Sequence, residues 1–275
     1  KVLSENNVNV ILTDSYGNPV SSLNFPMVSG IGSRNRMNQY DTFRDKTKRD
    51  YLVQQILKAK LQSQIRFLKS TNNPKILQNI NKLEKSGISE AVSSRYYFDN
   101  YTKLIDVRFG FKKRNSVRIE KKNATDVINA LLNYGYAVLA GQISSYINGV
   151  GLDAYYGFMH KNHTSFQSLV YDVMEPFRWL VDYSVWKLSD AKSRNRISKK
   201  QYAYTRDGIV VLEYDLIRKF LELLERTFQK ERKYAYRHGA FTKDGLKSVQ
   251  EITVAKILIQ NLADFCNGKI DEFKI

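Results

Sequence analysis

Residues 131–182 read LLNYGYAVLAGQISSYINGVGLDAYYGFMHKNHTSFQSLVYDVMEPFRWLVD, and this stretch decides the fold. Val127, Leu131 and Val138 recur at helical spacing, so an apolar helix is expected across them. Gly135 and Gly141 interrupt it. A helical glycine costs roughly 1 kcal/mol relative to alanine, so close packing of a neighbouring helix is the reason to expect there. Gly149-Val150-Gly151 reads as a turn, and the loop GFMHK, carrying His160, follows. A second helix is predicted over Ser165–Leu188, with Leu169, Val173, Phe177, Leu180 and Val185 as its core stripe. Pro176 lies inside it. Proline has no N–H to give the Asp172 carbonyl, so a kink is expected directly after Glu175, turning that carboxylate off the regular helix surface.

The chemistry-bearing residues sit in the same stretch. His160 is one of three histidines, with His163 and His238. Asp172 and Glu175, three residues apart, share a helix face. Two readings stay open for the acids. They form a surface pair or a partner for Arg178, or they need a cation because the helix around them is apolar almost throughout. One imidazole with several carboxylates suits a hard divalent ion, Mg²⁺ or Mn²⁺, and the imidazole favours tolerance of Mn²⁺. Zinc fits less well, since the single cysteine, Cys266, is remote. Glu90 is a weak signal by itself, because glutamate is common in a first helical turn.

Working outward, the chain of 275 residues carries 44 Lys plus Arg against 27 Asp plus Glu, a net charge of +17. That excess points to a polyanionic partner, nucleic acid first and anionic membrane second. No run of eighteen apolar residues and no signal peptide is visible. One cysteine fits a reducing cytoplasm. Val8–Thr13 and Pro19–Leu23 read as two strands around a turn cluster; two strands alone are marginally stable, so either further strands are missing upstream or the hairpin packs on the helical part. From Tyr40 the period becomes helical: Val53, Leu57, Leu61, Ile65 and Leu68 are expected to form one stripe. Ser89 is a candidate N-cap with Glu90 in the first turn. Lys103–Lys122 (including Lys112, Lys113 and Arg114) and Lys187–Lys200 (including Arg194, Arg196, Lys199 and Lys200) are basic segments. Each is either a solvated loop or a DNA-contacting one. Two more amphipathic helices are expected, on Leu216, Phe220, Leu223 and Phe228 and on Leu246, Val249, Ile252, Ile259 and Leu262. The fold class is therefore α+β: a remnant N-terminal β-domain over 1–38, then a large all-α domain over 39–275. A divalent site in a basic protein points to phosphodiester chemistry, and no P-loop signature is present.

NALLNYGYAVL, GLDAYYGFMH and SLVYDVMEPFRWLVD, together with GISEAVSSRYYF, NVNVILTDSYGNPV and ITVAKILIQNLADFC, resemble the family of CRISPR-associated endonuclease one, the integrase that captures new spacers. The resemblance is collinear over nearly the whole chain. It implies an N-terminal β-domain whose first strands are absent from this chain, a helical catalytic domain and a cytoplasmic, prokaryotic setting. It also implies a homodimer, a complex with CRISPR-associated protein two, and double-stranded DNA as substrate, with no membrane role. Glu90, His160 and Glu175 match the family's metal ligands and Asp172 a further acidic position. As phosphate-binding groups, Lys161, Arg178 and the two basic segments are expected. Two departures are local: Ala91 replaces the glycine usual after the glutamate, and FKKRNSVRIEKKNATD lacks the proline usual before NALL. A transposon integrase with the same core, or a non-catalytic DNA-binding scaffold, are the alternatives.

Overall fold

The computed structural model describes residues 10–13, 19–23, 31–85, 89–115, 123–160, 166–190, 193, 196–235 and 246–274. Among them, strands β1 (Val10–Thr13) and β2 (Pro19–Leu23) come first, followed by helices α1 (Ile31–Arg44), α2 (Lys46–Ser70), α3 (Pro74–Leu77), α4 (Ile80–Glu84), α5 (Glu90–Thr102) and α6 (Val127–Val150). After α6 come α7 (Ser168–Met174), a 3-10 turn (Glu175–Phe177) and α8 (Arg178–Ser189). The hairpin β3 (Tyr202–Tyr204) and β4 (Val210–Leu212) leads to α9 (Tyr214–Phe228), and β5 (Glu231–Ala235) and β6 (Leu246–Gln250) lead to α10 (Glu251–Cys266). Each strand pair is antiparallel and two-stranded. The fold is α+β with a large helical part, as the sequence reading expects.

Two compact units form: residues 1–56, 137–175 and 231–275, and residues 57–136 and 176–230. In the first, α10 packs on α1, α7 and the β5–β6 hairpin. Gly151 takes a φ of +81°, and a Cβ there would come within 2.6 Å of the Gly32 Cα, so the chain passes α1 where only glycine fits. Just beyond, the fully buried Gln39 of α1 holds the loop after α6. Its amide donates to the carbonyls of Asp153 and Tyr156, and its oxygen accepts the Asp153 N–H. Buried amides must find partners, so these bonds fix the loop that leads to His160.

In the second unit, α8 packs against α9 and α4 against α5. Gly135 shows why α6 carries glycine: a Cβ would lie 2.5 Å from Val181 and 2.7 Å from Phe220. The buried Asp182 of α8 accepts the hydroxyls of Tyr97 and Tyr136, each at 2.5 Å, and its carbonyl accepts the Tyr101 hydroxyl at 2.9 Å. Burial, the largest cause, pushes the Asp182 carboxyl up to about 6, against those hydroxyl bonds, which favour its charged form.

Three sequence expectations shift. The buried face of α2 runs through Leu52, Ile56, Ala59, Lys60, Ser63, Gln64, Phe67 and Leu68, while Val53, Leu57, Leu61 and Ile65 flank it half-buried. The difference arises because polar residues occupy core positions that a purely apolar pattern passes over. Leu246 and Val249 belong to strand β6, not to the last helix, which begins at Glu251; exposure alternates with period two along that strand. On α9 the buried position is Leu224 and not Leu223, giving Leu216, Phe220, Leu224 and Phe228 at strict spacing of four.

Candidate metal centre

Pro176 interrupts the second helix of the organising stretch as its chemistry dictates. Helix α7 stops at Met174, and Glu175–Phe177 tightens into a 3-10 turn in which the Glu175 N–H donates to the Asp172 carbonyl. Glu175 thus sits at the break between α7 and α8, 3% exposed. The core stripe around it, Leu169, Val173, Phe177, Leu180 and Val185, is buried throughout.

One turn earlier, Asp172 is fully buried and organises the preceding loop. Its Oδ2 accepts the N–H groups of Phe158 at 2.6 Å and Met159 at 3.0 Å. Its Oδ1 accepts the His160 N–H at 3.0 Å and lies 2.6 Å from His160 Nδ1. A carboxylate so engaged fixes the ring orientation, puts the proton on Nδ1 and directs Nε2 away from itself. Gly157 is required for this approach, since a Cβ there would meet Asp172 Oδ2 at 2.6 Å. Ser168, at the start of α7, accepts the Gly157 N–H and donates to the Tyr155 carbonyl, closing the loop onto the helix. The His160 ring also packs edge-on to Phe166 and Tyr171, which stack on each other at 4.4 Å.

Glu90 opens α5, with Ser89 at the N-cap position in extended conformation. Its side chain is 44% exposed, and Oε1 lies 3.0 Å from the ammonium of Lys60. Among the described residues, Glu90, His160 and Glu175 form a group able to hold a metal ion: each offers one ligand atom, and these atoms lie within 4.8 Å of one another.

The basic residues fall into different settings. Lys112, Lys113, Arg196, Lys199 and Lys200 are exposed. Arg114 turns inward: it donates to Asn129 Oδ1 at 2.8 Å and its guanidinium lies 5.2 Å from the Tyr136 ring centre. Burial is the largest influence on Arg114 and lowers its pKa. Arg178 stacks on the same ring at 4.7 Å. Lys161 and Arg194, like His163 and His238, lie outside the described residues. No helix among the described residues is long and apolar enough to cross a membrane.

Lys60 is the residue near these ligands that pattern reading passes over. Its signal is positional: a lysine in register with Leu52, Ile56 and Phe67 on the buried face of α2.

Residues 1–226 match the family described as CRISPR associated protein Cas1. A CRISPR-associated endonuclease Cas1 of Archaeoglobus fulgidus is 27% identical over 236 residues, covering 72% of this chain and 68% of the relative. One from Francisella tularensis subsp. novicida is 34% identical over 118 residues, 42% of this chain and 34% of that protein. Among solved structures, a casposase bound to integration product superposes with a TM-score of 0.78 at 25% identity, covering 99% of this chain and 75% of that one. A Cas1 protein from Thermotoga maritima superposes with a TM-score of 0.71 at 19% identity, over 97% and 80%. A chain of a Cas6-RT-Cas1–Cas2 complex shares the fold over 30% of its length, with a TM-score of 0.74 at 18% identity over 99% of this chain.

Proposed function

The chain belongs to the CRISPR associated protein Cas1 family, and on that premise we propose that it is a divalent-metal-dependent DNA endonuclease and integrase, which inserts foreign DNA fragments into a CRISPR array. The observation that carries the metal reading is the convergence of Glu90, His160 and Glu175, with ligand atoms within 4.8 Å of one another. Two carboxylates and one imidazole form a donor set for Mg²⁺ or Mn²⁺. Bound there, the ion supplies a Lewis acid to phosphodiester chemistry.

The residues divide the remaining work. Glu90 and Glu175 bring the two negative charges. His160 brings a neutral nitrogen, and Asp172 is its positioning residue, holding the ring through Nδ1 while the loop amides of Phe158, Met159 and His160 hold Asp172. The 3′-hydroxyl of the incoming fragment attacks a target phosphodiester and releases the target's 3′-oxygen. One phosphodiester replaces another, so no nucleotide is hydrolysed. Lys112, Lys113, Arg196, Lys199 and Lys200 hold DNA phosphates, with Lys161 and Arg194 in the same basic segments or beside the motif. Arg178, at the start of α8, contributes to phosphate binding beside its stacking on Tyr136; Arg114 serves Tyr136 and Asn129 first.

Residues 1–38 are read as the last part of a β-domain, supported by the β1–β2 pair, and residues 39–275 as the catalytic helical domain. Double-stranded DNA, a second copy of the chain and CRISPR-associated protein two are the partners, in a prokaryotic cytoplasm. The likeness to a casposase at 25% identity supports a second reading, a transposon integrase built on the same core. A repeat array beside the gene favours the first reading; a mobile element around it favours the second. Strand transfer of a labelled duplex into a supercoiled plasmid carrying a repeat tests the activity. It should need Mg²⁺ or Mn²⁺ and vanish in His160→Ala and Glu175→Gln. Metal-independent transfer, or transfer retained in both variants, overturns the proposal.

A further inference from the structure

Lysine rarely sits on the buried face of a helix, because its charge must be desolvated or paired. Lys60 does so in α2, with 6% of its surface exposed, between Ile56 and Phe67. Its Nζ donates to Glu90 Oε1 at 3.0 Å. The pair is lopsided: the lysine side chain is 7% exposed and the glutamate side chain 44%. Lys60 therefore reaches Glu90 from the protein side, leaving the carboxylate open to solvent.

Glu90 is also one of the three grouped ligand residues, so its carboxylate faces two claims, an ammonium already in place and a divalent ion. Two cations sharing one carboxylate repel each other, and partial burial of the lysine limits the screening that water gives. We infer that Lys60 is a built-in cation that neutralises Glu90 in the metal-free protein, holds down its affinity for a divalent ion, and becomes the partner of a DNA phosphate once Glu90 is given over to the ion. This rests on the reading of Glu90 as an ion ligand.

A phosphate arriving at the centre brings the negative charge that lets both cations stay. Metal and DNA then bind cooperatively, and by linkage each raises the affinity of the other by the same factor. Lys60 supplies part of that coupling through its charge, so arginine preserves it and methionine removes it. Methionine fills a similar apolar volume on α2, and the exposed Glu90 is left hydrated and not stranded.

The test is calorimetric titration of Mn²⁺ into the whole metal-free protein, alone and with a duplex lacking reactive 3′-hydroxyls, for the parent, Lys60→Met, Lys60→Arg and Glu175→Gln. Without DNA, Lys60→Met should bind Mn²⁺ at least about tenfold more tightly than the parent, while Lys60→Arg stays within about threefold of it. The gain in Mn²⁺ affinity on adding DNA should be several-fold smaller in Lys60→Met than in the parent. Unchanged or weaker Mn²⁺ binding by Lys60→Met overturns the inference and makes Lys60 a fixed prop for Glu90. In that outcome the metal centre itself still stands, provided the parent binds Mn²⁺ and Glu175→Gln does not. If the parent binds no Mn²⁺, or Glu175→Gln binds it as the parent does, the metal reading falls and takes this one with it.

Discussion

Asp172→Asn is the perturbation on which the site geometry makes its sharpest prediction. The carboxylate is fully buried and receives three backbone N–H groups and the His160 ring nitrogen, at 2.6 to 3.0 Å. Asparagine keeps one acceptor oxygen and puts an NH₂ group where the other oxygen stood. If the amide oxygen stays with Phe158 and Met159, the NH₂ faces the His160 N–H and Nδ1. Nδ1 must then accept, and the ring proton moves to Nε2, the atom that would ligate the ion. Two charge-assisted bonds disappear, each worth about 1.5–3 kcal/mol, so stability should fall by about 3–6 kcal/mol, or roughly 10 °C in melting temperature. Metal affinity should fall about 10- to 100-fold from loss of the supporting partner alone. Thermal melts in EDTA, read by near-ultraviolet circular dichroism, measure the first effect, and Mn²⁺ titration below the melting range measures the second. A variant that melts within a degree of the parent and binds Mn²⁺ equally would refute the assignment of Asp172 as the residue holding His160.

Gly157→Ala should reproduce part of that loss without touching a polar group, because its Cβ would press on Asp172 Oδ2 and the Ser168 backbone; weakened Mn²⁺ binding with the Asp172 carboxylate still present is the expected titration result. Asp182 gives a pH signature. Its folded-state carboxyl, raised to about 6 from 3.8, contributes stability that is full below pH 3.8 and lost as pH climbs through about 6. Urea denaturation should therefore show the difference in unfolding free energy, Asp182→Asn minus parent, growing by about 2 kcal/mol between pH 4 and 7. Neutralising Lys112 with Lys113, or Lys199 with Lys200, should weaken DNA binding with little sequence preference and flatten its salt dependence by roughly 0.9 log unit for each phosphate no longer neutralised; unchanged slopes in both pairs would mark them as solvated loops. Glu175→Gln should melt no lower than the parent in EDTA, since it relieves repulsion among the acids at the centre, yet lose Mn²⁺ binding. A variant several degrees less stable that still binds Mn²⁺ would make Glu175 structural.

The fold and much of the centre are legible in the chain because their signals are local. The glycine of the first apolar helix, the proline directly after Glu175, and the apolar stripe from Leu169 to Val185 each act through the residues next to them. The break at Glu175 follows from one missing N–H. The role of each acid is not separable in the same way. Asp172 and Glu175 share a face, and only the loop folding back over Gly157 shows that Asp172 spends its oxygens on three amides and a ring nitrogen. Glu90, taken by its position alone, is an ordinary first-turn glutamate, and only the resemblance carried by GISEAVSSRYYF singles it out; its pairing with Lys60 joins residues thirty positions apart. Lys60 is hidden by the assumption that buried helix positions are apolar. The displaced start of the last helix has a similar origin, because Leu246 and Val249 satisfy a helical spacing as well as a strand's when their neighbours are unknown. Arg114 reads as one of a run of surface cations, whereas its stacking on Tyr136 depends on a helix that follows it in the chain.

The most direct measurement is a crystal of the protein soaked in Mn²⁺ and probed for anomalous scattering. One peak is expected, about 2–2.3 Å from a carboxylate oxygen of Glu90, from Nε2 of His160 and from a carboxylate oxygen of Glu175, with Asp172 still on Nδ1. A crystal saturated with Mn²⁺ whose only peaks lie elsewhere, or whose ion is held by Asp172 in place of His160, would contradict it.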